Sequence, residues 1–201
     1  MIELIVAIIA AVAAGLILDL LRKNASITIK VIKRLSKNFS GSPTDKLLIY
    51  LSSGGTGRDP IAKAITLKLI ENRPLKFHLR VEGMALGPVS STEVEWAARN
   101  AIMELYGEDL LKDYVPQTVT QKLLAESDLV LVMDHSLMMY KILPKTKTYV
   151  FKEFFGLEGD INDPYPDGKD PQTLSRYKKC ATEIKSILGK NIDYLLKALQ
   201  I

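Results

Sequence analysis

The stretch Leu47-Leu-Ile-Tyr-Leu51, followed by Ser52-Ser-Gly-Gly-Thr-Gly-Arg58-Asp-Pro60, constrains the fold of this chain more than any other. A short, wholly apolar run reads as a strand buried on both faces. Pro60 stands where a first helical turn tolerates proline, and Pro60 to Glu71 is amphipathic and helical. The same alternation continues downstream. Lys76 to Val81 alternates like a strand, Thr92 to Leu105 reads as a helix, and Leu129 to Met133 is a second buried strand. Lys147 to Phe151 is a shorter strand, and Asp170 to about Leu199 has helical periodicity with an expected break at Gly189. Strands alternating with helices predict an α/β fold with a parallel sheet covered on both faces.

The loop between the first strand and its helix has chemistry of its own. Gly54, Gly55 and Gly57 let the backbone take positive φ and turn successive N–H groups inward. Inward N–H groups at a helix start form an anion nest, which the helix dipole reinforces. Arg58 adds a planar fork suited to two phosphate oxygens. A nucleotide-binding P-loop would end in Gly-Lys-Ser/Thr, and this loop does not. Its residues Ser53, Gly54, Gly55, Thr56, Gly57 and Arg58 are therefore candidates for holding phosphate or sulfate, with a plain glycine-rich turn as the competing reading.

Composition narrows the choices. The hydrophobic content is 47% and the charged content 25%, which suits a packed core. Cys180 is the single cysteine, so an internal disulfide and a cysteine zinc site are excluded. His78 and His135 are too few for a histidine-rich metal site, and neither carries a catalytic assignment. No metal and no cofactor is expected. Trp96 falls in an expected helix, where core is the commoner fate.

Residues Leu4 to Leu18 carry no charge, and about 18 to 20 helical residues span roughly 30 Å, the thickness of a bilayer core. Arg22, Lys23 and the cluster Lys30, Lys33, Arg34 and Lys37 follow directly, which by the positive-inside rule places that side in the cytoplasm. The expectation is a hydrophobic or transmembrane helix over 1–24, a basic juxtamembrane linker over 25–44 and a globular domain over 45–201. The membrane contact would run through residues 2–21 of a single-pass protein at the cell membrane. A buried core helix, a signal peptide and an assembly helix compete for the same segment. The basic cluster has no interleaved aromatics, so no nucleic acid partner is expected.

At this point the loop resembles the signature of the low-molecular-weight protein tyrosine phosphatases, Cys-x-Gly-Asn-x-Cys-Arg-Ser-Pro. Ser52 falls on the nucleophilic cysteine, Gly54 on the glycine, Arg58 on the phosphate-binding arginine and Pro60 on the proline. A second constellation, Asp160-Ile-Asn-Asp163-Pro164-Tyr165, is similar to the family's late Asp-Pro-aromatic loop, and Val132-Met133-Asp134 lies in the expected order between them. The resemblance covers roughly Lys46 to Leu188 and implies a four-stranded parallel sheet flanked by helices in three layers. It implies Asp163 as the acid that protonates the leaving phenol and Tyr165 as a wall against the substrate ring, with Asp160 a less favoured acid. The activity implied is hydrolysis of phosphotyrosine on proteins, or of a small phosphomonoester, through a phosphocysteine intermediate.

The departures bear on that activity. Ser52 replaces the nucleophile, and a hydroxyl ionises little without a base, so a nearly inactive or substrate-trapping form is expected. Gly57 stands for the second cysteine and Gly55 for the bracing asparagine. Asp59 stands where a serine normally meets the thiolate; a carboxylate there would repel phosphate unless it caps the helix or turns away, and the cap is the favoured reading. Ser52 fits either a deliberate cysteine-to-serine substitution or a native pseudophosphatase that binds phosphorylated ligands without turnover. Arsenate reduction on the same fold would need further cysteines. A structural role, with assembly or homo-oligomer formation through the N-terminal helix, is the remaining alternative.

Overall fold

The computed structural model describes residues 45–165 and 172–200. Within the compact unit Asp45–Ile201, four parallel strands form one sheet: β1 (Lys46–Ser52), β2 (Leu79–Ala85), β3 (Leu129–Val132) and β4 (Thr148–Val150), in the order β2-β1-β3-β4. Ser52, the last residue of β1, pairs with Ala85 of β2, and Leu51 pairs with Val132 of β3. The chain leaves β1 toward β2 on one side and returns to β3 on the other. The carboxyl end of β1 is thus the point where strand order reverses, the place where open α/β sheets bind ligands.

Successive residues of β1 point to opposite faces, and both faces are covered. Leu48 and Tyr50 join a core with Ile61 and Ile65 of α1 (Arg58–Ile70), Ala98 and Ile102 of α2 (Trp96–Tyr106), and Ile184 and Leu188 of α5 (Thr173–Ala198). Leu47, Ile49 and Leu51 join a second core with Leu124 of α3 (Gln121–Glu126), Leu137 and Leu143. The short α4 (Phe151–Phe154) follows β4 directly. Tyr50 is fully buried, and its hydroxyl meets Thr66 Oγ1 of α1 at 2.8 Å. That bond satisfies a polar group that would otherwise cost stability in the core.

The predicted four-stranded parallel sheet with flanking helices is what the structure contains, with three local differences. β2 lies later than the alternation of Lys76 to Val81 suggested, because its register is set by β1: Ile49, Tyr50 and Leu51 pair with Glu82, Gly83 and Met84. Gly83 sits within that strand because a Cβ there would stand 2.8 Å from the Asp59 carbonyl oxygen at the start of α1. The expected break at Gly189 does not occur. Gly189 lies on the exposed side of α5, while Ile187, Leu188, Ile192 and Leu195 hold the opposite side in the core. Trp96 is 56% exposed at the first residue of α2 rather than buried.

The expectation of a single-pass membrane protein is corrected. Among the described residues no helix is long and apolar enough to cross a membrane. The longest, α5, spans 26 residues but carries Lys178, Lys179, Lys185, Lys190 and Lys197. The expected hydrophobic helix over 1–24 and the basic linker over 25–44 lie outside the described residues.

Candidate active site

Ser52 ends β1 at the floor of a cavity of about 230 Å³. The loop Ser53, Gly54, Gly55, Thr56, Gly57 and Arg58 curls around it, so the sequence-predicted cradle residues lie together. Gly55 has φ of 71°, the left-handed conformation that glycine adopts without penalty, and a Cβ there would meet Ala85 at 2.9 Å. Gly57 precedes α1 with no side-chain cap. A Cβ at Gly57 would stand 3.0 Å from the Tyr177 hydroxyl, so α5 closes that wall. Ser90, Ser91 and Glu95, from the loop after β2, and Asp163, Tyr165 and Tyr177 complete the lining. Thr56 Oγ1 and Ser90 Oγ are 3.1 Å apart.

Arg58 is buried, and three acceptors fix its guanidinium. Nη1 donates to Asp134 Oδ2 and to the Ile161 carbonyl, each at 2.8 Å, and Nη2 donates to Asp163 Oδ2 at 3.2 Å. Asp134 is held in turn by the Ser136 hydroxyl on its other oxygen. Tyr165 N–H donates to Asp163 Oδ1 at 3.0 Å, a short turn across Pro164, and Tyr165 is 60% exposed at the cavity edge. Asp160 is engaged elsewhere. It accepts from the His135 backbone N–H at 3.0 Å and contacts the ring Nδ1 at 2.6 Å, while Glu153 contacts Nε2 at 2.8 Å. The bonds to Glu153 and Asp160 push the His135 pKa upward.

Beneath the cavity floor, Ser52 Oγ donates to Asp59 Oδ1 at 2.5 Å, and the Gly55 N–H donates to Ser52 Oγ at 3.3 Å. Tyr114 donates to the other Asp59 oxygen at 2.9 Å. The expected helix cap is corrected here: the residue that caps the helix, Gly57, has no side chain, and Asp59 in the first turn is fully buried, with its carboxylate on Ser52 and Tyr114, and contributes no wall to the cavity. Burial pushes its carboxyl up to about 7, against the pull of the bonds from Ser52 and Tyr114. Cys180 is buried on α5, and burial pushes its thiol up to about 12, far from thiolate chemistry.

Sequence reasoning missed Tyr114, Glu95, and Asp134 as a clamp; it put Asp59 at a position that meets the nucleophile but assigned its carboxylate to the helix cap. Asp59 is seven residues from Ser52, yet the loop folds it back beneath the serine. Tyr114 lies outside every motif and arrives only through tertiary packing. A larger depression of about 770 Å³ lies elsewhere, lined by Lys152, Leu157, Lys178 and Lys190 among others. It is open, and Lys152 pairs there with Glu183 at 2.5 Å and Lys178 with Glu104 at 2.6 Å.

A glycine-rich strand-loop-helix turn with a buried arginine and a late carboxylate, at the carboxyl edge of a parallel sheet, defines an α/β domain whose loop is shaped to suit an anion. The chain belongs to the low molecular weight phosphotyrosine protein phosphatase family, whose sequence profile matches residues 47–200. It is 25% identical over 157 residues to a protein-arginine-phosphatase of Bacillus subtilis (strain 168), covering 75% of this chain and 97% of that protein. Two solved structures, each 25% identical, share the fold. A low molecular weight protein tyrosine phosphatase from T. tengcongensis superposes with a TM-score of 0.63, over 74% of this chain and 99% of that one. A cysteine-to-serine mutant of an arginine phosphatase, with a phosphorylated active-site serine, gives 0.62 over 77% and 95%.

Proposed function

We propose that this domain removes phosphoryl groups from protein side chains. The phosphoryl group sits in the Ser53–Arg58 cradle above Ser52, Arg58 Nη2 stabilises its equatorial oxygens, and Asp163 protonates the leaving atom. One observation carries the reading: Arg58 and Asp163 converge within 3.2 Å at the mouth of a cavity floored by Ser52. In the liganded state phosphate oxygens would take over the Nη2 donor, freeing the Asp163 carboxyl for the leaving atom. The mutant relative whose active-site serine is phosphorylated supports a serine at this position as a phosphoryl acceptor.

Phosphotyrosine is the first substrate class, because the exposed Tyr165 ring flanks the cavity and offers a face to a phenol. Phosphoarginine is the second. Glu95 and Asp163 place carboxylates in the wall, and the Thr56 and Ser90 hydroxyls add acceptors, a lining suited to a guanidinium. The relative named as an arginine phosphatase supports this class.

The test uses the full chain with phosphotyrosine and phosphoarginine peptides, alongside inorganic phosphate binding read as a rise in melting temperature. Hydrolysis of one class, lost in Arg58→Ala, supports the reading. Tyr165→Ala should lower kcat/KM selectively on phosphotyrosine, and Glu95→Gln selectively on phosphoarginine. Phosphate binding without turnover of either peptide would make the domain a binding module. Neither binding nor turnover would remove the phosphatase reading altogether.

A further inference from the structure

Ser52 and Asp59 form a hydrogen-bonded pair that a cysteine enzyme does not need. We propose that Asp59 is the general base for Ser52, so that this chain works through a serine nucleophile and a phosphoserine intermediate; the proposal rests on the phosphatase reading above and names its nucleophilic machinery.

The geometry has three parts. Ser52 Oγ points its proton at Asp59 Oδ1 over 2.5 Å, the length of a charge-assisted bond from a hydroxyl to a carboxylate and within reach of proton transfer. Asp59 lies behind the serine and outside the cavity lining, so a bound phosphate meets the serine oxygen first and not the carboxylate. The Gly55 N–H, at 3.3 Å from Oγ, is placed to receive negative charge as it grows on the oxygen.

The third member fixes the base. Tyr114 Oη has one hydrogen and three acceptors in reach: Asp59 Oδ2 at 2.9 Å, the Gly83 carbonyl at 2.9 Å and the Gly55 carbonyl at 3.1 Å. With Asp59 ionised, Tyr114 donates to it. When Asp59 takes the serine proton on Oδ1, the acid donates back to Ser52 Oγ, and Tyr114 still donates to Oδ2. Both protonation states are therefore hydrogen-bonded without rearranging the chain, as a group that accepts and returns a proton requires. The charged and titratable neighbours of this unit are Arg58 beside Asp59, and Glu82 and Lys63 beside Tyr114. Burial holds the carboxyl near 7, where it exchanges protons readily at neutral pH.

A thiolate makes the opposite demand. It is stabilised by positive surroundings, and a buried carboxylate 2.5 Å away would raise its pKa and suppress it. An oxygen nucleophile needs a base, and Asp59 is one. The pair is matched to serine and mismatched to cysteine, so Ser52 reads as the residue this site is built for.

The steps balance. Ser52 Oγ forms a bond to phosphorus as the bond from phosphorus to the substrate's leaving oxygen or nitrogen breaks. The Oγ proton passes to Asp59, and Asp163 gives its proton to the leaving atom. Water then attacks phosphorus and loses a proton to Asp163, the Oγ–phosphorus bond breaks, and Asp59 returns its proton to Ser52. Inorganic phosphate leaves, with Asp59 ionised and Asp163 protonated as they began.

The experiment follows p-nitrophenyl phosphate turnover by the full chain, with acid quenching and mass analysis of the peptide bearing Ser52. The unaltered chain should release nitrophenol and carry phosphate on Ser52. Asp59→Asn, which keeps the shape and is checked for folding by thermal melting, should slow Ser52 phosphorylation about 10²- to 10⁴-fold. The double variant Ser52→Cys/Asp59→Ser should turn over, and should outpace Ser52→Cys alone. Turnover by the unaltered chain should rise with pH as Asp59 ionises, and that limb should vanish in the double variant. Unchanged phosphorylation in a folded Asp59→Asn overturns the proposal. So does an idle unaltered chain beside an active double variant, which leaves the phosphatase reading standing. Inactivity of both removes both.

Discussion

Arg58 and Asp163 stand 105 residues apart in sequence and 3.2 Å apart in space, joined by Nη2 and Oδ2. The two remaining contacts of that guanidinium, to Asp134 and the Ile161 carbonyl, tie the carboxyl end of β3 and the late loop to the cradle. One side chain therefore both presents a donor to the cavity and fastens three segments of chain.

Arg58→Ala should separate these two duties from those of Asp163. Removing a buried cation from Asp134 should cost about 3–5 kcal/mol, because a largely buried carboxylate loses its partner. Asp163→Asn should change stability by less than about 1 kcal/mol, since Asp163 is half exposed and solvent screens the pair. Urea unfolding of both variants checks the contrast. Equal losses would mean that the late loop, and not the Asp134 clamp, is what Arg58 stabilises.

Asp59 should make stability depend on pH in a direction unusual for a carboxyl. Its pKa in the folded chain is raised to about 7, above the unfolded value near 3.8, so the folded state binds the extra proton between those limits. Stability from this group is full below about pH 4, falls as pH rises to about 7, and is level above. The loss is at most about 4 kcal/mol, from a shift of roughly three units at 1.36 kcal/mol each. His135 contributes the same sign over its own range, because its pKa is raised as well. Melting curves across pH 4 to 8 for the unaltered chain and Asp59→Asn isolate the Asp59 part, and identical slopes would contradict the shift.

Gly83→Ala should unseat the helix start that carries Arg58 and Asp59. The new Cβ would stand 2.8 Å from the Asp59 carbonyl oxygen, a backbone atom that cannot swing aside. Overpacking of this kind costs about 1–3 kcal/mol. Phosphate affinity should fall with stability, measured by calorimetry on the same samples, whereas Gly189→Ala, on the exposed side of α5, should be neutral or stabilising.

How far the sequence alone reveals this arrangement depends on the range of each contact. The apolar runs at Leu47–Leu51 and Leu129–Met133 announce buried strands because each is short, wholly apolar and bounded by polar residues, which suits a strand covered on both faces. The cradle is legible because its glycines, Arg58 and Pro60 are contiguous. The position of β2 is not, since its register comes from pairing with β1 rather than from its own alternation. Asp59 looks like a helix cap by position. Its actual partners are the end of β1 and Tyr114, which approaches from 55 residues away. Local preference assigns such a residue to the nearer of two uses, and tertiary packing selected the other.

At Gly57, where the family signature carries its second cysteine, the Tyr177 hydroxyl fills the place of a side chain. None of the described residues lining the cavity carries sulfur, and the single thiol of the chain, Cys180, is buried and protonated on α5. Peroxide therefore finds nothing to oxidise at the reacting centre, and no resolving thiol is required there. Chemistry built on Ser52 would continue unchanged in surroundings where a cysteine nucleophile is switched off.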